Sequence, residues 1–131
     1  MNDTSPTAYA LLGGEQKLRE MVERFYAVMD SVPEYYGIRK LHPADLGGST
    51  DKLFMFLSGW LGGPSLYIEK FGHPRLRARH LPFAIGPTER DQWMACMMQA
   101  MIDVEIEPEL RAYLYEAMSH TAEKMRNREE T

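Results

Sequence analysis

GHPRLRARHLPF, residues 72–83, is the stretch on which the reading of this chain turns. It is poor helix material: Gly72, Pro74 and Pro82 interrupt it, and Pro64, Gly86 and Pro87 bound it on either side. Between Pro64 and Pro87, helices are therefore limited to about two turns each. Yet this broken stretch holds two of the four histidines and three arginines. A loop-rich segment of roughly twenty residues inside a small domain points to function, or to a bound group that orders it.

The sequence on either side is strongly helical. After Gly13-Gly14, the residues Leu18, Met21, Val22, Phe25, Tyr26 and Met29 recur at spacings of 3, 1, 3, 1 and 3, one apolar stripe that stops before Pro33. A turn-rich stretch, KLHPADLGGS, follows, and Ser49 is expected to cap a helix carrying Leu53, Phe54, Phe56, Leu57, Trp60 and Leu61. That helix ends at Gly62-Gly63-Pro64. Pro87 suits the first position of a long helix with Trp93, Met97, Ala100, Met101 and Val104 on one face. Pro108 begins the last helix, with Leu110, Leu114, Ala117, Met118, Thr121 and Met125 on its stripe. No segment alternates apolar and polar residues long enough to read as a strand. The expected class is all-α, with four main helices and a poorly helical middle.

Length and composition bound the rest. The 131 residues make a single domain, with looser ends expected at 1–7 and 126–131. Such a chain buries roughly two thirds of its unfolded surface, enough for one core without staples. The lone Cys96 excludes an intrachain disulfide framework and any multi-cysteine zinc or iron–sulfur site. It reads as a small buried hydrophobe, since only Arg90 is a nearby cation in sequence. No apolar run approaches the roughly 20 residues that span a bilayer, and MNDTSPTAYA has neither a basic nor an apolar leader region, so a cytoplasmic protein without membrane attachment is expected. A net charge of −4 offers no global basic field for nucleic acid. Ten methionines and fourteen aromatics (two Trp, seven Tyr, five Phe) suit a well-filled helical core and equally the surroundings of a flat apolar ligand.

Site chemistry centres on His80. A metal held by side chains alone takes three or four ligands, and there is no HExxH, no paired carboxylate–histidine motif and no second cysteine. One histidine suffices only if a porphyrin supplies four nitrogens and the protein adds an axial ligand. With no CxxCH, such a haem is held noncovalently. Arg75, Arg77 and Arg79 then suit its propionates, because guanidinium pairs well with carboxylate. On local evidence the alternative stands open: a solvated arginine face with a surface histidine. Tyr26 and Trp93 lie on core-facing stripes and each brings a polar group inward that needs a partner. His42, between Leu41 and Pro43, is a third polar group among apolar neighbours. Each alone reads as core filling or a turn histidine; together with His80, they suit a cavity for a dipolar ligand.

At this point the chain resembles the group II truncated haemoglobins, globins with a two-over-two helical sandwich. The resemblance runs from about Tyr9 to Met125. It is carried by GGP at 62–64, by the GHPRLRxRHxPF pattern from Gly72 to Phe83, and by Trp93 with Cys96 and Met97. Gly13-Gly14 and the RFY at 24–26 match as well. The resemblance implies haem b, His80 as the proximal iron ligand, and Tyr26 and Trp93 as distal hydrogen-bond donors. It places Arg79 and Arg77 near the propionates. Trp60, Tyr67, Phe83 and Ile85 line the haem edge and proximal side, Leu53 and Phe56 the distal face. Leu57, Leu76 and Met97 complete the haem-contacting set, and Met118 is a further methionine that can approach it. His73 is expected to hydrogen-bond the proximal loop, and His120 to face solvent.

His42 is the main departure, since the family usually carries Tyr or Phe before this proline, and small Ser49 stands where many haemoglobins have a distal histidine. His42 is expected to donate to the bound ligand, to assist O–O cleavage in a peroxidase-like manner, or, like Tyr26, to bind ferric iron as a sixth ligand. The resulting function is binding of O2, CO, NO or other diatomics, with transport, retention and sensing all open. Two charge-assisted hydrogen bonds of about 1.5–3 kcal/mol each slow release by roughly 10²-fold or more, which argues against bulk delivery. The first rival is a peroxidase-like or NO- and peroxynitrite-consuming enzyme; the chain has no flavin or nicotinamide motif, so its reductase is a separate partner. The second is a non-haem helical module binding a partner helix through methionine-rich faces. Monomer and weak homodimer are both compatible with the sequence.

Overall fold

Gly13 ends one helix and opens the next. In the computed structural model, which describes residues 6–128, α1 (Ala8–Leu12) closes on Gly13, whose φ of 122° is open to glycine and strained for other residues. Helix α2 (Gly14–Ser31) follows at once and ends where Val32 turns extended ahead of Pro33. Its buried residues are Leu18, Met21, Val22, Phe25, Tyr26 and Met29, the stripe expected from spacing, with Val28 added.

A 3₁₀ turn (Pro33–Tyr35) leads into the short α3 (Tyr36–Arg39) and a turn through His42 and Pro43. Helix α4 (Gly47–Trp60) begins two residues before the expected Ser49 cap. The group that meets its free N-terminus is Asp45, whose Oδ1 accepts from the Gly47 N–H at 2.8 Å. A carboxylate there also suits the positive end of the helix dipole, so Ser49 is free to sit inside the helix.

The middle segment is broken as expected, into α5 (Leu66–Phe71) and α6 (Leu76–His80), the latter entered through Arg75 in the left-handed region at φ 47°. Its entrance is packed tightly: Ser58 Oγ donates to the Pro64 carbonyl at 2.7 Å, and a Cβ on Gly63 would lie 2.5 Å from the Tyr9 ring. Helix α7 (Pro87–Asp103) starts at Pro87, with the Glu89 carboxylate accepting from the Gly86 N–H at 2.7 Å. Helix α8 (Pro108–Lys124) starts at Pro108, where the Glu107 side chain takes the N–H groups of Glu109 and Leu110.

The packing follows the four long helices. α2 packs against α4 and α7, and α7 against α8, giving a two-over-two sandwich; no strand occurs among the described residues. The core between α2 and α7 is methionine- and aromatic-rich, with Phe25, Met21, Met29, Met97 and Met101 fully buried. Among the described residues no helix is long and apolar enough to cross a membrane. The N-terminal end expected to be loose lies outside the described residues up to residue 5, and the C-terminal end from residue 129 onward. Residues 126–128 are described, and Asn127 is hydrogen-bonded to the loop after α6.

Candidate functional site: a cavity between two histidines

A cavity of about 420 Å³ opens between α4, α7, α8 and the broken middle segment, within the range of small-molecule and cofactor pockets. Its walls explain why α4 carries so many apolar residues. Phe54, Leu57 and Leu61 are buried in the core, whereas Leu53, Phe56 and Trp60 are only partly buried and turn toward the cavity, which Leu57 also borders. The apolar positions of α4 thus form two adjoining faces, one for the core and one for the cavity.

His80, the last residue of α6, lines the cavity and places Nδ1 2.6 Å from the Leu76 carbonyl. A carbonyl only accepts, so Nδ1 carries the proton, and the neutral ring keeps its lone pair on Nε2. His42, across the cavity beyond α3, repeats the arrangement with Nδ1 2.8 Å from the Ile38 carbonyl. Burial pushes the His42 pKa below the ordinary histidine value; nearby Arg39 and His80 push the same way, and the Ile38 hydrogen bond opposes them. His42 is therefore neutral near pH 7, and Nε2 is an acceptor. Its Nδ1 hydrogen is spent on the backbone.

Two side chains with a hydrogen to donate, Tyr26 and Trp93, meet the cavity. Both line the cavity, and neither the phenol nor the indole N–H is hydrogen-bonded to another described residue. Burial pushes the Tyr26 phenol far above its ordinary pKa, so it stays protonated. Phe25 sits between the two rings, with centroids 4.9 Å from Tyr26 and 5.0 Å from Trp93, and Tyr26 meets His42 edge-on at 5.6 Å. An aromatic row Trp93–Phe25–Tyr26–His42 thus fixes the spacing of the polar tips. Phe25, fully buried, was legible only as core.

On the other side, Tyr67 meets Phe56 edge-on at 6.4 Å and Phe71 at a tilt at 4.9 Å, and the Arg79 guanidinium lies 5.8 Å over the Tyr67 ring. Leu76, Arg79, Phe83 and Ile85 line the cavity as well, and Lys52 adds a second cation. Three residues expected at the cofactor, Arg75, Arg77 and Met97, do not border the cavity. Arg77 points to the chain's end, donating to the carbonyls of Lys124 at 2.7 Å and Arg126 at 3.1 Å. Met97 is fully buried in the core. Arg75 is exposed and does not border the cavity; His73 Nδ1 accepts its N–H at 3.0 Å. His120 is exposed, and Cys96 is buried with its thiol donating to the Phe25 carbonyl at 3.2 Å.

Of the C-terminal end of α8, the sequence pointed to Met118 alone; Thr121 and Met125 went unread as wall residues. Met118, Thr121 and Met125 border the cavity, as do Glu89 and Arg90 of α7. A threonine on an otherwise apolar stripe was the available signal. Arg90 is held there by ion pairs to Asp91 and Glu123. Among the described residues no group of three or more His, Cys, Asp or Glu could hold a metal ion by itself. A metal at this cavity therefore needs donors from a cofactor. An apolar slot fits such a group, with one histidine Nε2 available on each side, two orphaned donors and cations at the rim.

Comparison with known proteins agrees with that reading. The sequence matches the bacterial-like globin family over residues 7–127. It is 42% identical to the group 2 truncated hemoglobin YjbI of Bacillus subtilis (strain 168) over 117 residues, 89% of this chain and 86% of that one. Among solved structures, the group II 2-on-2 hemoglobin of the plant pathogen Agrobacterium tumefaciens is 42% identical, with a TM-score of 0.92 over 98% of this chain and all of that one. A cold-adapted truncated hemoglobin of the Antarctic marine bacterium Pseudoalteromonas haloplanktis TAC125 is 40% identical, with a TM-score of 0.90 over 94% of this chain and 99% of that one. The chain belongs to the bacterial-like globin family, as a group II truncated haemoglobin.

Proposed function

We propose that this globin holds haem b noncovalently through His80 and binds O2 and other diatomic ligands beside Tyr26 and Trp93. The observation that carries the proposal is one cavity in which His80 has only Nε2 to offer while two protonated donors lack partners. When bound, haem supplies an iron centre at which a diatomic ligand binds reversibly.

The chain's own residues do the rest. The Leu76 carbonyl fixes the His80 tautomer and makes its Nε2 a better ligand. Tyr26 and Trp93 donate to a partly negative ligand, and because Phe25 spaces their rings they need little reorganisation to do so. The apolar walls from α4 keep water out, which strengthens both hydrogen bonds. Ser49 lines the cavity with a short side chain, so steric gating from that position is weak. Lys52 and Arg79 are the cations suited to the propionates, with Arg77 committed elsewhere.

A second reading is favoured by the neutral His42 beside Tyr26. A basic imidazole next to a protonated phenol can take up and return a proton, which suits peroxidase-like or NO-consuming redox chemistry driven by an external reductant. It also leaves His42 Nε2 free to bind ferric iron when no other ligand is present. The Tyr26 phenol, held protonated, is the weaker sixth ligand.

The test is a visible spectrum of the hemin-loaded protein, then with dithionite, then with CO. A Soret band that shifts with CO is expected, and its absence would refute the haem reading. His80→Gly should lose tight hemin binding and regain it with added imidazole. Retention of the parent spectrum by His80→Gly would remove His80 as the ligand. A low-spin ferric form that His42→Phe turns high-spin would place His42 on the iron.

A further inference from the structure

Charge is distributed very unevenly along this chain. Between residues 52 and 88 stand five cations, Lys52, Lys70, Arg75, Arg77 and Arg79, against the single anion Glu69. That segment is net +4, and the remaining ten Lys and Arg against eighteen Asp and Glu leave the rest of the chain at net −8. The pairing pattern differs too. None of the five cations forms an ion pair among the described residues, whereas Lys17, Arg19, Arg24, Arg39, Arg90 and Arg126 all do.

The same segment carries exposed apolar side chains. Ile68 (55% exposed), Phe71 (41%), Leu81 (53%) and Phe83 (40%) fall within sixteen residues around α5 and α6. Lys52 and Lys70 lie over the Phe71 ring at 5.9 and 5.5 Å, and Arg79 over Tyr67, so the cations are held around the apolar patch. Tyr67, Arg79 and Phe83 also line the cavity, so the patch is the outer side of the cavity wall. An apolar centre with a one-signed charged rim is the make-up of a transient interface steered by electrostatics.

We propose that this face docks an acidic electron-transfer protein, carrying a flavin or an iron–sulfur centre, that reduces the haem. The proposal rests on the haem reading above and names where the external reductant binds. The charge complementarity commits it to an acidic partner: with Lys52 and Arg79 suited to the propionates and Arg77 turned to the C-terminal segment, Lys70 and Arg75 are left on this face without an ion pair, and a basic or neutral donor would gain nothing from them. The balance is simple. The donor gives up one electron, ferric iron becomes ferrous, and no bond or proton moves. A partner docked here stands against the cavity wall rather than across the acidic remainder of the surface.

The probe is a strongly acidic two-iron ferredoxin, used with the full-length hemin-loaded chain. Titrating it into the ¹⁵N-labelled protein should shift amide signals around residues 66–83 at low salt, and the shifts should fade at 0.3 M salt. Stopped-flow reduction of the ferric protein by reduced ferredoxin should slow with salt. The double variant Lys70→Glu with Arg75→Glu should slow it by about tenfold or more at low salt, within the range of electrostatic steering. Lys70→Glu alone should slow it more than Arg111→Glu, which makes the same change in net charge on α8. Both cations lie outside the cavity, so the Soret band and reduction by dithionite should be unchanged in every variant.

Equal rates for parent and double variant, no salt dependence, or shifted signals centred elsewhere would overturn the proposal. So would binding to anionic phosphatidylglycerol vesicles, lost in the double variant, without binding to ferredoxin. Failure of the haem reading looks different: hemin gives no Soret band, while the amide titration still reports whether the face binds the acidic protein.

Discussion

His42 and His80 are held in the same way, each giving Nδ1–H to the carbonyl four residues before it, Ile38 at 2.8 Å and Leu76 at 2.6 Å, and both line one cavity. Each ring therefore meets the cavity with Nε2 as its only free nitrogen. On the His80 side that nitrogen suits a metal; on the His42 side it is an acceptor that becomes a donor only when the ring gains a proton.

Burial holds the folded-state pKa of His42 below its ordinary value of about 6.5. Between the two values the unfolded chain binds more protons than the folded one. The neutral ring's contribution is thus fully present above pH ~6.5 and is lost as pH falls through the folded pKa. His42→Phe lacks this term. Its melting temperature should fall less steeply than the parent's between pH 7.5 and 5, and parallel slopes would show that His42 titrates normally. In the same pH window, ligand release from the parent should slow as His42 becomes a donor, with no such trend in the variant.

Tyr26 and Trp93 should separate ligand binding from folding. Neither polar tip has a hydrogen-bond partner among the described residues, so Tyr26→Phe removes none of these bonds and should leave the haem-free protein as stable or slightly more so. Release of O2 should nevertheless quicken by roughly 10- to 100-fold, the cost of one hydrogen bond to a partly charged acceptor. Trp93→Phe should behave alike. CO, which carries less negative charge, should respond less to either change. A Tyr26→Phe protein that is markedly destabilised, with unaltered O2 release, would mark the hydroxyl as structural instead.

The sequence showed these roles unevenly, for physical reasons. The α2 stripe from Leu18 to Met29 repeats at helical spacing, so its burial could be read directly, and GHPRLRARHLPF marked the cavity because its prolines forbid ordinary core helices. The start of α4 was misplaced because KLHPADLGGS offers two capping residues, and Asp45, not Ser49, reaches the first free N–H. Arg77 and Arg79 look alike in sequence, but two residues on a helix turn about 200°, so one faces the cavity wall and the other the chain's end. Trp93 and Met97 share a helix face, yet Met97 is fully buried in the core while Trp93 stands at the cavity's edge. That His42 accepts rather than donates depends on a backbone carbonyl four residues away, and pattern alone does not place that carbonyl.

Cys96 should be inert while the protein is folded. It is fully buried, its thiol donates to the Phe25 carbonyl, and burial pushes its pKa up to about 12. Thiolate is the reactive form, so native-state labelling with a thiol reagent at pH 8 should track unfolding, not reagent concentration. Rapid stoichiometric labelling would show that the α2–α7 core opens readily. Cys96→Ala leaves a small void beside Phe25, and should cost about 1 kcal/mol.

Asn127 offers the strongest test of whether the chain's end belongs to the site. Its side chain accepts from the Ile85 N–H at 2.9 Å and donates to the carbonyls of Phe83 at 2.7 Å and His80 at 3.2 Å, while its own N–H reaches the Ile85 carbonyl at 2.8 Å. Arg77 ties the same segment from α6. The segment that holds His80 has few regular helical hydrogen bonds of its own, so these contacts stand in for them. Asn127→Ala should lower stability by about 1–3 kcal/mol through the donors and acceptors left unpaired. Because the loss falls on the loop after His80, hemin should also transfer to a scavenging apoprotein several-fold faster than from the parent. Asn127→Asp keeps the acceptor for Ile85 but sets a carboxylate against two carbonyls, and should be at least as damaging as alanine. Unchanged hemin transfer in both variants would mean that α6 holds His80 without help from the C-terminal segment.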